Sequence, residues 1–374
     1  MRFTQPIHAD WLAKPDHYAV QQWTYEATQK YGGEKKNLED LKVKTAIPAS
    51  DGMSVVLAID GLKPSRLVHF LLNPKSVDGE EIWSAEAWYT LKRLPAGSSG
   101  KPTHQKHVVF VTGDDEYGSE VSMPMIASIL EQKPGFRVTV LKAVDDKGQW
   151  SRAGQSIPGL RALREADAAV FFMRFRALPD QQVKEIEDYV ASGRPVLGLR
   201  TSTHAFNYKN GPYRRLNDGF GQDIFGQKWI SHYGHGSTSQ ALLENDAQAH
   251  SILRGLPHEF DLHSWLYVMN SDETRISEDC EVLISGRAMR EVEGEKQIFG
   301  DIQPVAWTRQ RVLAGGKPQR VFYTSLGHPR DFLDLPSRRL MLNAIYWAVG
   351  LESEIPAEGV DAPMPEGYAP EDPK

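Results

Sequence analysis

A chain of 374 residues is too long for one ordinary domain and suits one large domain with a smaller companion. Its 43 basic and 49 acidic residues leave a formal charge of −6, which gives no electrostatic reason to expect a nucleic acid or an anionic membrane as partner. The single cysteine, Cys280, excludes intrachain disulfides and cysteine-rich metal sites.

The opening stretch MRFTQPIHADWLAKPDHY has no hydrophobic signal core, and no run approaches the roughly 18 apolar residues that a membrane helix needs. The expectation is a soluble chain without an export signal, cytoplasmic unless it is a fragment of a longer exported protein. Residues 1–94 read as a small β-rich module. The runs LKVKTA, MSVVLAI, RLVHFLL and EAWYTL are separated by turn signals at Ser50-Asp51-Gly52, Asp60-Gly61 and Asp78-Gly79. The first 35 residues show no period and are expected on the surface. Residues 95–106 concentrate Pro, Gly and Ser, the composition of a linker.

From residue 107 to 351 the pattern changes to apolar strand, polar loop, amphipathic helix, repeated. HVVFVT, FRVTVL, AAVFFM and PVLGL read as strands buried on both faces of a mostly parallel sheet. Helices are expected from about Met123, with Ser122 as cap and Pro124 in the first turn, and after Pro179, with Val183, Ile186 and Val190 inward and Gly193 as stop. PVAWT and RVFYTSL supply two more strands. Pro336 to Gly350 closes the domain as a helix that faces Met341, Ala344, Ile345 and Ala348 inward, with Trp347 in packing. The alternation specifies a doubly wound, flavodoxin-like α/β domain. The Pro- and acid-rich tail 352–374 is expected on the surface.

In such sheets ligands bind outside the carboxyl ends of the strands, at the switch in strand order. The residues following the strands are polar: Asp114 and Asp115 after the first, Arg174 and Arg176 after the third, Arg200 to His204 after the fourth, His328 after the last. Asp114, Asp115, Arg174, Arg176 and Arg200 are expected to line one cleft. His232 and His235, in SHYGHG, are close enough in sequence to share a ligand, and His204, His263 and His328 can join them. Zinc or another divalent metal is one option for His232 and His235; acid–base work or hydrogen bonding to a substrate is the other, beside a purely structural role. Trp229, Tyr233, Trp265, Tyr267 and Trp307 can stack on sugar rings or fill a core. His250 reads as a structural turn residue, and Cys280 as a small buried hydrophobe.

The segment GRPVLGLRTSTH aligns with the strand and nucleophile elbow of class I glutamine amidotransferases, with Arg200 at the cysteine position. Arginine does not deprotonate into a nucleophile, so thioester chemistry is excluded there. The elbow either points Arg200 at the crevice or lets it pair with Asp114 or Asp115. The elbow GLRTSTHAF, the segments GFGQDIFGQKWISHYGHG, AHSILRGL, PVAWTR and RVFYTSLGH, and the helix NAIYWAVGLE together resemble the trehalose-utilisation (ThuA-like) family of the amidotransferase-like fold. Many of its members carry histidine where this chain has Arg200. The resemblance implies a role in carbohydrate metabolism on disaccharides or their keto derivatives. The expected function is an enzyme acting on a sugar or keto-sugar by isomerisation, elimination or hydrolysis, with Arg200, His204, His232, His235 and His263 as catalytic candidates. Asp114, Asp115, Arg174, Arg176, Trp307 and His328 are the substrate-binding candidates. The alternative is a non-catalytic carbohydrate-binding or scaffolding domain. The expected partner is a small carbohydrate, and a homo-oligomer is compatible. More weakly, DGLKPSRLVHFLLNPKSVDGEEIWSAEAWYTLKRLP is similar to the β-rich terminal segment of large secreted sugar-dehydrogenase-like proteins.

Overall fold

The computed structural model describes residues 1–3, 5–25, 33–49, 52–79, 85–91, 105–313 and 318–373. The expected turn at Ser50-Asp51 and most of the expected linker lie outside them. The chain divides into two compact units, Met1–Thr103 and His104–Lys374.

The first unit begins with a short helix, α1 (Ala9–Leu12), and carries strands β1 (Ala19–Thr24), β2 (Lys36–Leu41), β3 (Val43–Pro48), β4 (Val55–Ile59), β5 (Arg66–Leu71) and β6 (Glu86–Leu91). A four-stranded antiparallel sheet runs in the order β2-β1-β5-β6, and β3 and β4 pair separately. The first 35 residues therefore do not simply run over the surface: β1 is a central strand, and Phe3, Ile7, Leu12, Tyr18 and Val20 belong to the core. The hydrophobic period fails there because Gln22 is fully buried. Its amide donates to Glu39 Oε2 and Gly61 O, both at 2.8 Å, and its oxygen accepts from Lys63 N at 3.0 Å, so a polar residue is satisfied inside.

The second unit comprises β7 (Lys106–Gly113), α2 (Ser119–Glu131), β8 (Phe136–Leu141), β9 (Ala168–Met173), α3 (Asp180–Ala191), β10 (Val196–Leu199), α4 (Leu216–Gly219), β11 (Ser231–His232), β12 (Thr238–Leu243), β13 (Glu259–Leu262), β14 (Tyr267–Val268), β15 (Cys280–Val292), β16 (Glu295–Arg311), β17 (Gln319–Thr324) and α5 (Leu335–Ala348). A nine-stranded sheet has the order β13-β12-β15-β16-β17-β10-β9-β7-β8. From β8 to β17 neighbouring strands are parallel; from β17 outward to β13 they are antiparallel. Alternate residues of β7 serve two cores. Val108 and Phe110 pack with α2 and α5, while Val109 and Val111 pack with α3, which is why the strand reads as one apolar run.

Three boundaries differ from expectation. Helix α2 begins at Ser119, where Gly118 takes φ 64° and breaks the chain direction, so Ser122 and Pro124 lie inside the helix. The PVAWT segment is the inner part of the 17-residue β16, whose hairpin with β15 turns at Glu293-Gly294. Polar residues on both faces of its outer half hid that hairpin. The tail buries Ile355, Val360 and Ala362 instead of lying wholly on the surface. Asn343 Oδ1 accepts from Val360 N at 2.9 Å and Arg338 Nε donates to Ala362 O at 2.9 Å, so side chains of α5 satisfy its backbone.

Candidate functional site

Strand order reverses around β7, with β8 on one side and β9 on the other, and the carboxyl ends of β7, β9 and β10 converge there. Two of these ends are strained. Phe175, just after β9, has φ 51°, and Arg200, directly after β10, has φ 40°, a region L-residues with large side chains avoid. At Arg200 the strand breaks into the 3-10 turn Arg200–His204, so the elbow predicted from GLRTST is present. Gly327 leaves room beside it, since a Cβ there would lie 3.0 Å from Arg200 Cβ, and Gly198 in β10 leaves room for the Phe225 ring, 2.3 Å from where a Gly198 Cβ would be.

Arg200 does not open onto a crevice, and it pairs with neither Asp114 nor Asp115. It is fully buried. Its Nη1 donates to Ser325 O at 2.8 Å and Trp265 O at 3.3 Å, and its Nη2 donates to Tyr117 Oη at 2.9 Å. The guanidinium lies 4.1 Å from the Tyr117 ring centre, 4.5 Å from Tyr267 and 5.7 Å from Trp265. Burial opposes its charge, but the surrounding phenol oxygens and Asp331 favour it, and the balance holds the pKa above the ordinary arginine value. Arg200 is thus a fixed cation beneath an aromatic cage. Tyr117, Trp265 and Tyr267 complete that cage; Trp265 and Tyr267 are among the aromatic residues expected to stack on sugar rings or fill a core, and here they pack on the Arg200 guanidinium.

Asp114 is buried beside the elbow. Its Oδ2 accepts from Thr201 Oγ1 at 2.6 Å, and its Oδ1 accepts from the backbone N–H groups of Glu116 and Tyr117. Burial outweighs these bonds and raises its pKa to about 6. Asp115 and Glu116 both pair with the half-buried Arg174, at 2.9 and 3.0 Å. Arg176 is fully buried, and its guanidinium donates to Gly113 O, Gly154 O and Arg152 O at 2.5, 2.6 and 3.0 Å. It braces backbone and has no surface to offer a ligand. The five residues share one sheet edge, but only Asp115 and Arg174 reach solvent. Trp307 is likewise enclosed, donating its indole N–H to Phe225 O at 2.7 Å, so it presents no stacking face.

A run of rings lies beside Arg200; His204 and Trp265 in it are buried, Phe175, Trp229 and His232 are half-buried, and His235 is exposed. Arg174 lies over Phe175 at 4.5 Å; Phe175 meets His204 at 5.0 Å, and His204 meets Trp229 at 5.1 Å. Trp229 lies 6.5 Å from His232, His232 lies 5.0 Å from His235, and His235 lies 4.1 Å from Trp265. His232 is carried by β11, paired with Tyr267 on β14, which places it near Arg200. Burial, then His235 and Arg200, lower its pKa. Its Nδ1 accepts from Gly234 N at 3.0 Å, so the neutral ring keeps its proton on Nε2. His204 is buried, and burial with Arg174 and Arg200 pushes its pKa down to about 3.

His263 and His328 form a second pair, with ring centres 5.7 Å apart. Burial lowers His328 to about 4, Arg200 and His263 adding to the effect and Asp331 opposing it. Its Nδ1 accepts from Arg330 N at 3.1 Å, and Asp331 completes a capping box. His250 caps a 3-10 turn through Ile252 N at 3.2 Å, the structural role expected of it. Cys280 is half-buried, and burial pushes its thiol up to about 12.

Among the described residues no three His, Cys, Asp or Glu side chains converge to hold a metal. His232 and His235 supply two imidazoles where catalytic zinc takes three protein ligands, and Arg200 places a positive charge close by. No helix among the described residues is long and apolar enough to cross a membrane.

No curated protein matches this sequence. Solved structures with a similar fold include a ThuA-like protein from Bacteroides uniformis ATCC 8492, at 16% identity and TM-score 0.44, covering 68% of this chain and 94% of that one. A ThuA-like protein from Parabacteroides merdae ATCC 43184, also at 16% and 0.44, covers 66% and 90%. The family model for ThuA, trehalose utilisation, matches residues 107–348, spanning the sheet, the elbow and the ring-lined site, and the chain belongs to that family.

Proposed function

We propose that this carbohydrate-utilisation protein is an enzyme that moves a proton on a sugar or keto-sugar at the His232–His235 edge. The observation that carries the reading is the fixed tautomer of His232. With Nδ1 engaged by Gly234 N, the neutral ring offers an Nε2–H donor, suited to polarising a carbonyl oxygen without surrendering its proton. His235 stands 5.0 Å away and more exposed, placed to accept the proton from the carbon beside that carbonyl. Arg200 does not touch substrate in this scheme. Its charge disfavours protonation of His232 and its cage holds Trp265 beneath His235. The half-buried Trp229 supplies a face for the apolar side of a sugar ring, with the buried Trp265 supporting His235 from behind. An enolate formed in this way leads to isomerisation when His235 returns the proton to the former carbonyl carbon and the adjacent α-hydroxyl passes its own proton to the carbonyl oxygen, or to elimination when the β-oxygen leaves and takes the proton held by His235.

The test is proton exchange. Keto-disaccharides incubated with the protein in D2O should exchange the hydrogen adjacent to the carbonyl, and His235→Ala should slow this by about 100-fold, the size of general-base catalysis. Wild-type protein that produces neither exchange nor product would sink the proposal. A second reading, a binding domain without turnover, draws support from Arg200: the residue at the elbow is fully buried, with its Nη groups donating to Ser325 O, Trp265 O and Tyr117 Oη. Saturable sugar binding without any chemical change would favour it.

A further inference from the structure

A separate cavity of about 420 Å³ opens at the carboxyl ends of β7 and β8, lined by residues including Glu116, Glu120, Lys142, Trp150 and Arg152 and by tail residues 369–372. Tyr117 lines it as well, and the same ring covers Arg200, so this cavity and the buried cation share a wall. The geometry points to a second carbohydrate-ring site here, with Trp150 as its stacking platform and the C-terminal tail as its outer wall.

Three observations select a neutral polyhydroxylated ring. First, Trp150 lines the cavity and is 55% exposed, so its indole is open to take the apolar face of a ring. Second, the charged lining is internally balanced. Glu120, itself buried, accepts from Arg152 Nε and Nη2 at 2.9 and 2.7 Å, Glu116 is paired with Arg174 and Asp372 with Arg330, and the remaining charged lining residues, Lys142 and Glu371, carry opposite signs, so the walls offer hydrogen-bond donors and acceptors with little net charge. Such alternation suits hydroxyl groups. Third, the tail is fastened across the opening at two points. Tyr368 Oη donates to Pro329 O at 2.7 Å, and Arg330 pairs with Asp372 at 2.7 Å. The volume lies within the range of small-ligand sites and holds a sugar ring with its hydration.

This inference rests on the carbohydrate class proposed above but not on the chemistry assigned to the histidines. The probe is trehalose, with inorganic phosphate as the ionic control, followed through the indole N–H resonances of 15N-labelled full-length protein. The Trp150 resonance is identified by its absence from Trp150→Phe. Trehalose should shift it saturably, Trp150→Ala should weaken binding about tenfold, and Trp150→Phe should recover most of that loss with no change in Tm. The His232→Ala/His235→Ala double variant should bind as tightly at Trp150 as the parent, even where proton exchange is lost. The inference is overturned if trehalose leaves Trp150 unmoved, if Trp150→Ala binds trehalose like the parent, if the histidine pair is needed for the shift, or if phosphate moves the resonance and the sugar does not. Failure of the enzymatic reading looks different: Trp150 binding persists and no exchange occurs.

Discussion

Thr201 Oγ1 donates to Asp114 Oδ2 at 2.6 Å, and this bond, together with that from Arg200 Nη2 to Tyr117 Oη, ties the end of β7 to the elbow after β10. Because burial raises the Asp114 pKa from 3.8 to about 6, the folded state prefers the protonated acid. The associated stability is complete below pH 4 and is lost as pH rises through about 6. Asp114→Asn can keep the geometry, since Oδ1 still accepts from Glu116 N and Tyr117 N while the amide donates to Thr201 Oγ1. Relative to the parent, the variant should gain about 3 kcal/mol between pH 4 and pH 7, at about 1.4 kcal/mol per pKa unit. Urea unfolding at several pH values checks this; a difference that stays flat or falls would refute it.

Arg200→Ala should destabilise the protein by about 3–5 kcal/mol, because it empties a buried site and strips hydrogen bonds from Ser325 O, Trp265 O and Tyr117 Oη. Lysine keeps the charge but not the fork, so Arg200→Lys should fall between Ala and the parent. Neither the parent nor the variants should release ammonia from glutamine. Denaturant unfolding decides the structural claim, and a loss under 1 kcal/mol for Arg200→Ala would show that the cage does not depend on its cation.

The strand pattern from β7 to β10 was legible because each strand is buried on both faces, so composition alone reveals it. The elbow was legible because its glycine and small polar residues follow a strand without a break. What the sequence could not convey was which polar residues lie inside. Arg176 and Arg200 look like crevice residues in a loop, yet backbone carbonyls far along the chain accept from the Arg176 guanidinium and from Arg200 Nη1. Gln22 in β1 is the same case in the first unit. A buried polar residue is recognisable only once its partners are known, and these partners are distant in sequence. The His204-to-Trp265 ring series was missed as a series for a similar reason: β11 and β14, which bring its members together, are only two residues long.

Zinc should not stabilise the protein. The two imidazoles of His232 and His235 stand alone as ligands near a buried guanidinium, and Nδ1 of His232 is already engaged by Gly234 N. Thermal unfolding in excess ZnCl2 and in EDTA should give the same Tm. A rise of several degrees in zinc, abolished by the double alanine variant, would mean that loop 232–236 rearranges to recruit a third ligand.

His232 should exist as the Nε2–H tautomer and titrate below the ordinary histidine value. Burial opposes its charge first and the neighbouring His235 and Arg200 add to that, while protonation would also put a hydrogen on Nδ1, where Gly234 N–H now points. A histidine with a lowered folded-state pKa stabilises the fold above its unfolded value and withdraws that contribution as pH falls. The ring nitrogen shifts of 15N-histidine-labelled protein report the tautomer and the titration together. With Arg200→Lys, which retains a cation, the His232 titration should stay depressed. With His235→Ala it should move up toward the ordinary value, because one of the groups opposing the charge is gone. A protonated Nδ1 at neutral pH would show that His232 cannot serve as a fixed Nε2–H donor, and the assignment of His232 to the carbonyl oxygen would fall with it.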